Sequence, residues 1–506
     1  MKLQQAVHWG CTVGVALLLA ACGGGSGSAP EPAPAAVPDM PAADRIEPFD
    51  PSLVRTLKAA TAAVAAPPAA ARAPKAKTVR LGPLAAPLLQ SLQKAAMPNP
   101  AKGMRQHIGL ARDLAATATA PGLRGQLQWS PTERGTQHAA IRFEAQGALG
   151  VRLGLLVRAL PPGSTLRFYA QAGAAVVEVS GDEVLRTLAR NLQAGDTGDA
   201  ARTYWSPDFG GADTTLELEL PAHADLAQLD IAVPTLSHFF VPPESAAQPG
   251  LSAVGAAGSC NVDLSCRPDV SSESRSVARM LFVENGRTFL CTGTLLNDAQ
   301  SSATPYFLSA NHCISTQSVA SSLTTDWFFR SSACNSGEVY AGAQRLNGGA
   351  TLLYAQAATD TAFMRLNAAP PAGIVFAGSY FGAVAQGAGL AGIHHPQGDL
   401  QKFSEGSVTQ FDNCTLQSCL ASTPQDGRFL NVGWRLGTVE SGSSGSGLFL
   451  PIGSKRYVVG QLMGSAASCQ NPGGANYYGR FDLAFQAALR NWLKPVPGAP
   501  IGQAPQ

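Results

Sequence analysis

Charge is scarce in this chain: Asp, Glu, Lys and Arg together make up 14% of 506 residues, against about 25% in ordinary soluble domains. The 36 basic and 34 acidic residues leave a formal net charge of +2, so no strong field exists to hold nucleic acid or an anionic membrane surface. Low charge together with 53 Gly and 36 Pro argues against a coiled coil or helical bundle. Aromatics are only 7%, yet apolar residues reach 45%, too many for a chain disordered along its whole length. Cysteine is missing between Cys22 and Cys260 and then recurs eight times. Any disulfide framework is therefore confined to the second half. The length leaves room for two or three domains.

The apolar run Gly10–Ala21 follows Met1 and Lys2, is too short to span a bilayer comfortably, and gives way to small residues. That is the pattern of a signal peptide over residues 1–21. Leu19-Ala20-Ala21-Cys22-Gly23 resembles a bacterial lipobox, which implies cleavage before Cys22 and a lipid anchor on it. An exported chain is free to form disulfides. Residues 22–104 are rich in Ala and Pro and read as a tether, with one short helix at Pro87–Ala96.

From about residue 105 the texture changes. Ala139–Ala145, Val151–Leu160, Thr165–Ala170, Ala175–Ser180 and Thr215–Leu220 alternate apolar and polar positions and end at Gly, Pro or Asp, as strands of a small antiparallel sandwich do. Asp182–Leu192 reads as a helix capped by Asp182. This region, 105–245, carries no evident chemistry and is expected to be a pro- or accessory domain. A Pro/Ala/Gly/Ser-rich boundary follows, and residues 255–495 form the Cys-bearing, Gly-rich, strand-like region, ending in a helix at Leu483–Leu493. Residues 496–506 are a tail.

Three short segments of this last region suggest nucleophilic catalysis. Tyr306–Ala310 is an apolar strand that delivers His312 directly beside Cys313; a bridge to Cys291, at the start of Cys291–Asn297, would hold the ring as a general base requires. Asp360 stands at the head of Thr361–Leu366, where a buried carboxylate could orient an imidazole. Asp326, leading into Trp327-Phe328-Phe329, competes with it on local grounds, while Asp298 and Asp399 sit in polar loops. Glu440-Ser441-Gly442-Ser443-Ser444-Gly445-Ser446 runs straight into Gly447–Leu450. Glycines here permit a tight turn that exposes a serine hydroxyl and aims backbone N–H groups at an oxyanion. The chain order His, Asp, Ser separates chymotrypsin-like proteases from subtilisins and α/β-hydrolases.

These motifs, with Gly258–Asp263, Ile393-His394-His395-Pro396, Leu430-Asn431-Val432, Gly460-Gln461-Leu462 and Tyr478-Gly479-Arg480, resemble the bacterial lysyl endopeptidase family over roughly residues 255–493. The resemblance implies an all-β fold: a chymotrypsin-like double β-barrel catalytic domain preceded by a small β-sandwich-like domain. It ranks Asp360 above Asp326 and implies Ser444 as nucleophile, His312 as general base, Asp360 as orienting carboxylate, and the N–H groups of Gly442 and Ser444 as oxyanion hole. It implies disulfides Cys260–Cys469, Cys266–Cys334 and Cys291–Cys313, leaving Cys414 with Cys419. No cofactor or metal is expected; the adjacent His394 and His395 point different ways on a strand and are expected to be structural.

Two positions depart from the pattern. Ser443 precedes the nucleophile where digestive trypsin-like enzymes carry an Asp that receives a new N-terminus. Met463 and Asn476 stand where lysyl endopeptidases place the His and Asp that recognise a lysine ammonium, so an uncharged residue before the scissile bond is expected. The reading is an exported serine endopeptidase made as a zymogen, monomeric, acting on proteins or peptides and not nucleic acid. It meets the membrane only through Cys22, as an outer-membrane or surface lipoprotein, or is secreted after processing near Gly255. The competing reading is a surface-anchored adhesion protein with the barrel as inert scaffold.

Overall fold

Alternating burial along the strands of residues 255–496 curls them into two barrels. In the computed structural model, which describes residues 42–54, 76–96, 105–242 and 255–496, the second barrel closes completely. Gly389–His394, Lys402–Cys414, Phe429–Leu436, Asn476–Arg480, Lys455–Ser465 and Gly447–Ile452 pair in a ring that returns to its first strand. Closure removes unpaired edges, and the interior is filled by Val408, Leu430, Val432, Leu448, Leu462 and Tyr478. The first barrel is a ladder through Val277–Glu284, Arg287–Leu296, Tyr306–Ala310, Thr361–Leu366 and Ala350–Gln356. Phe282, Leu295, Phe307, Trp327 and Met364 fill it. This is the trypsin-like double barrel.

The N-terminal region is sandwich-like. One sheet holds Gln137–Ala145, Asp213–Leu220, Thr165–Tyr169 and Val176–Ser180; facing it lie Gln106–Asp113, Asp230–Phe239, Val151–Ala159 and Thr203–Trp205. Period-two alternation sends Ile141, Phe143, Leu216 and Leu218 from one sheet, and Val151, Leu153, Leu155 and Ile231 from the other, into one core. All five expected strands are present within a residue or two, and the expected helix spans Gly181–Gln193. Its cap is Ser180, whose hydroxyl accepts from Glu183 N–H, rather than Asp182, which falls in the first turn. The last helix begins at Phe481 and carries a π-type turn over Phe485–Leu489.

Two features depart from the sequence reading. The sandwich and first barrel share one sheet: Gln106–Asp113 pairs antiparallel with Arg287–Leu296, in register Leu290 with Gln106, Phe289 with His107 and Thr288 with Gly109. An edge strand is stabilised by whichever strand covers it, and alternation in one strand carries no record of its partner. Second, the stretch read as tether contributes structure. Ala76–Leu81 adds a parallel edge strand to Gln137–Ala145, and Arg45–Ile46 pairs with Gly378–Tyr380 in the second barrel's sheet. Helix Ala86–Ala96 stands where expected. These strands are short and only Ile46 in them is fully buried, so no apolar pattern announces them. The expected signal peptide, Cys22 and most of the tail lie outside the described residues.

Candidate active site

The strand Tyr306–Ala310 is wholly buried and delivers His312 to the junction of the barrels. Asp360 holds it twice: His312 N–H donates to Oδ1 at 2.8 Å, and His312 Nδ1 lies 2.7 Å from Oδ2. Asp360 is 3% exposed and adopts φ 48°, a left-handed conformation costly for most side chains but tolerated by Asp. The strained turn is braced from the second barrel by Gln461 Nε2, which donates to Thr359 O at 2.8 Å and Thr361 Oγ1 at 3.0 Å. A Cβ on Gly479 would collide with the same Thr359 oxygen. The role of Gln461 was not evident from sequence beyond its place in a motif; the signal is a fully buried amide in the otherwise apolar Tyr457–Leu462.

The Ser444 turn is built by close backbone contacts. Gly442 and Gly445 have φ 91° and 82°. Thr292 N–H donates to Ser444 O at 2.8 Å, Thr292 Oγ1 to Gly442 O at 2.9 Å, and Gly445 N–H to Leu462 O at 2.7 Å. A Cβ at Gly445 would meet Ser309 Oγ and, at 2.5 Å, the Thr292 oxygen. The serine turn is thus pressed against the strand that carries His312. Gln397 N–H donates to Ser441 O at 2.6 Å. In a trans peptide the carbonyl and the next N–H point opposite ways, so this bond turns Gly442 N–H away from residue 397. No hydrogen bond joins Ser444 Oγ to His312 among the described residues; such bonds are often long before substrate arrives.

His394 and His395 are fully buried. His394 lies between the hydroxyls of Ser443 and Ser404, at 2.9 Å each, and His395 Nδ1 is 2.9 Å from Asp399 O. Burial pushes both imidazoles down to about 3, so both are neutral near pH 7 and stabilise the turns through hydrogen bonds. His312 lies near the sulfurs of Cys291 and Cys313, which are bonded to each other and so offer no thiolate to a metal. The eight cysteines pair as the resemblance implies: Cys260–Cys469, Cys266–Cys334, Cys291–Cys313 and Cys414–Cys419.

Asp326 is committed elsewhere. Burial alone would raise its pKa, but Arg345 and Arg279 outweigh this and hold it at about 2; their nearest contacts are 2.7 Å. Asp399, read as a polar-loop residue, is 3% exposed and accepts from Gly255 and Ala257 N–H. Met463 and Asn476 are not brought together. Met463 packs with Phe429 and Tyr477, whereas Asn476, one residue from Tyr477 and so on the opposite face, is held by Ser465 Oγ at 2.7 Å and Val432 O at 2.8 Å.

Fold and relationship together define the class: a trypsin-like serine endopeptidase. Residues 80–240 match the lysyl endopeptidase N-terminal domain and residues 254–479 the lysyl endopeptidase C-terminal domain. A lysyl endopeptidase of Pseudomonas aeruginosa is 32% identical over 404 residues, 77% of this chain and 81% of the relative. The chain belongs to the lysyl endopeptidase family. Among solved structures it is similar to the active form of the Rv3671c protease from M. tuberculosis, at TM-score 0.31 and 16% identity, covering 48% of this chain and 92% of that one. It is also similar to the HtrA-type protease AlgW with tripeptide, at TM-score 0.28 and 17% identity, covering 43% and 60% respectively.

Proposed function

We propose that this endopeptidase works through Ser444, His312 and Asp360 and is exported as a precursor whose N-terminal region restrains the active site. Ser444 Oγ attacks the scissile carbonyl while His312 Nε2 takes its proton. Asp360, on Nδ1, stabilises the imidazolium that forms. The N–H groups of Gly442 and Ser444 receive the oxyanion. His312 then protonates the leaving amine, and water activated by the same ring releases the acyl group. The observation that carries this reading is the double grip of Asp360 on His312.

Restraint by the N-terminal region is supported by two contacts beside that histidine. Gln106 pairs with Leu290, immediately before Cys291, and Arg105 Nη1 donates to Cys313 O at 3.4 Å. Anchoring through Cys22 and release by processing near Gly255 complete the proposal. At the cleaved bond the enzyme prefers an uncharged residue: the P. aeruginosa relative is named for lysyl bonds, but here a neutral Asn476, its amide already satisfied, replaces a carboxylate.

A fluorophosphonate probe tests the triad. Processed enzyme is expected to label, and Ser444→Ala to label not at all; labelling that survives the substitution, or its absence from folded wild type, overturns the reading. A peptide-library profile with cleavage confined to lysine would overturn the specificity.

A further inference from the structure

Two carboxylates, Asp399 and Glu440, flank the start of the catalytic region. Asp399 accepts from Gly255 N–H at 3.2 and 3.1 Å and from Ala257 N–H at 3.0 Å. Glu440 accepts from Gly258 N–H at 3.0 Å and Asn261 Nδ2 at 3.1 Å. Burial raises the Glu440 pKa, and the nearby Asp399 charge adds to this. Among the described residues neither carboxylate has a Lys or Arg at ion-pair distance. Arg279, which donates to Gly398 O at 2.7 Å, is bound to Asp326 instead. Buried charge without a counter-charge is costly, and Asp399, 3% exposed, receives only N–H donors from this segment.

We propose that Asp399 is the receptor for the α-ammonium that hydrolysis of the 254–255 peptide bond creates on Gly255, and that this ion pair sets the Gly442 N–H for catalysis. The reaction adds water across one amide, leaving a carboxylate on Val254 and an ammonium on Gly255. The amide N–H already donates to both Asp399 oxygens, so the new charge arises where it is needed. The match to the C-terminal domain begins at residue 254, directly before this bond, and the match to the N-terminal domain ends at 240.

The signal reaches the site through one tight turn. Asp399 N–H donates to Pro396 O at 2.9 Å, Gly398 N–H to His395 O at 3.1 Å, and Gln397 sits at φ 56°. Gln397 N–H in turn holds Ser441 O at 2.6 Å and thereby orients the 441–442 peptide. Ser443 cannot serve as the receptor, because it offers only a hydroxyl, and that is bonded to neutral His394. The carboxylate comes from a neighbouring loop instead. Asp399 is a positioning residue: it touches no reacting atom.

This inference rests on the serine reading above. To test it, residues 248–254 of the full chain are replaced by the recognition site of an added specific protease, so that cutting leaves Gly255 first. A sibling leaves one extra Ala before Gly255. Both are made with Asp399 and with Asp399→Asn, and kcat and KM are measured with fluorophosphonate labelling and thermal melts. The Gly255-first enzyme is expected to exceed the Ala-extended one by about 100-fold in kcat, the scale of one oxyanion donor, with KM changed less than about twofold. Asp399→Asn is expected to lower kcat to the same level, after which the extension costs nothing more. Equal kcat for the two N-termini, or extension and substitution effects that multiply, overturns the proposal while leaving Ser444 in place. Absence of labelling in every cut chain overturns both readings. If Asp399→Asn does not fold, the two N-termini with Asp399 intact decide alone.

Discussion

Residues 105–242 contain no cysteine and close their sandwich without a cross-link, whereas residues 255–496 carry four cross-links in two barrels. The two regions nevertheless share a sheet. Beyond that ladder they are joined by a small apolar cluster, Ile108 and Phe239 against Leu281 and Leu290, and by polar contacts: Arg345 lies 2.7 Å from both Asp208 and Asp326, Arg152 donates to Ser322 O at 2.9 Å, and Asn191 accepts from Ser321 Oγ at 2.7 Å. The difference teaches that one chain closes its β cores by two routes, with cross-links in one region and without them in the other.

The comparison breaks most visibly at the reactive centre. Asp360→Asn is expected to lower kcat about 10⁴-fold, equivalent to about 5.5 kcal/mol. Phe143→Ala in the sandwich core is expected to melt only the N-terminal region and to leave kcat of the processed enzyme unchanged; a comparable kcat loss from both would show that the regions function as one. Removing Cys260 and Cys469 together, which close a separation of 209 residues, should destabilise the catalytic region by at most about 5 kcal/mol. The same exchange at Cys414 and Cys419, separated by 5, should cost about 2 kcal/mol. Calorimetry in which the sandwich transition moves instead would contradict the division.

Arg345→Gln sharpens the interface. It removes the ion pair to Asp208, leaving that carboxylate only the charge of Arg152, takes away part of the compensation of Asp326, and is expected to cost about 3 kcal/mol, loosening the cut N-terminal region from the barrels. Size-exclusion chromatography after cleavage reads this directly, with retention of both pieces in one peak as the contrary result. Acid acts through two buried histidines of the catalytic region. His394 and His395 have folded values near 3 against an ordinary value near 6.5. The unfolded state therefore binds more protons in that window. Their contribution is fully present above about pH 6.5 and is lost as pH falls toward 3, by at most about 1.4 kcal/mol per histidine per pH unit. Replacing both histidines should flatten this slope in urea melts at successive pH values; an unchanged slope would assign it elsewhere.

Much of this was legible locally. The five sandwich strands announce themselves by alternation, and His312 and Ser444 by the strand and turn that carry them. Asp360 was not separable from Asp326 on local grounds: each acid adjoins an apolar strand, and only Arg279 and Arg345, distant in sequence, show that Asp326 serves an ion-pair network. Asp399 read only as a polar-loop residue because its partner, Gly255, lies far away along the chain and contributes only a backbone N–H. Met463 and Asn476 occupy motif positions that suggest one pocket, but opposite strand faces separate them.

The amino-acid sequence by itself determined the residue types available for chemistry, the strand segments, and the confinement of the downstream disulfides to the second half, because propensity, periodicity and composition act over a few residues. Tertiary structure decided which carboxylate faces His312, where the sandwich joins the barrel, and that Asp399 meets Gly255 beside the serine turn. Those outcomes depend on edges and charges brought together across long stretches of chain, where pairing energy depends on the partner and not on either segment alone.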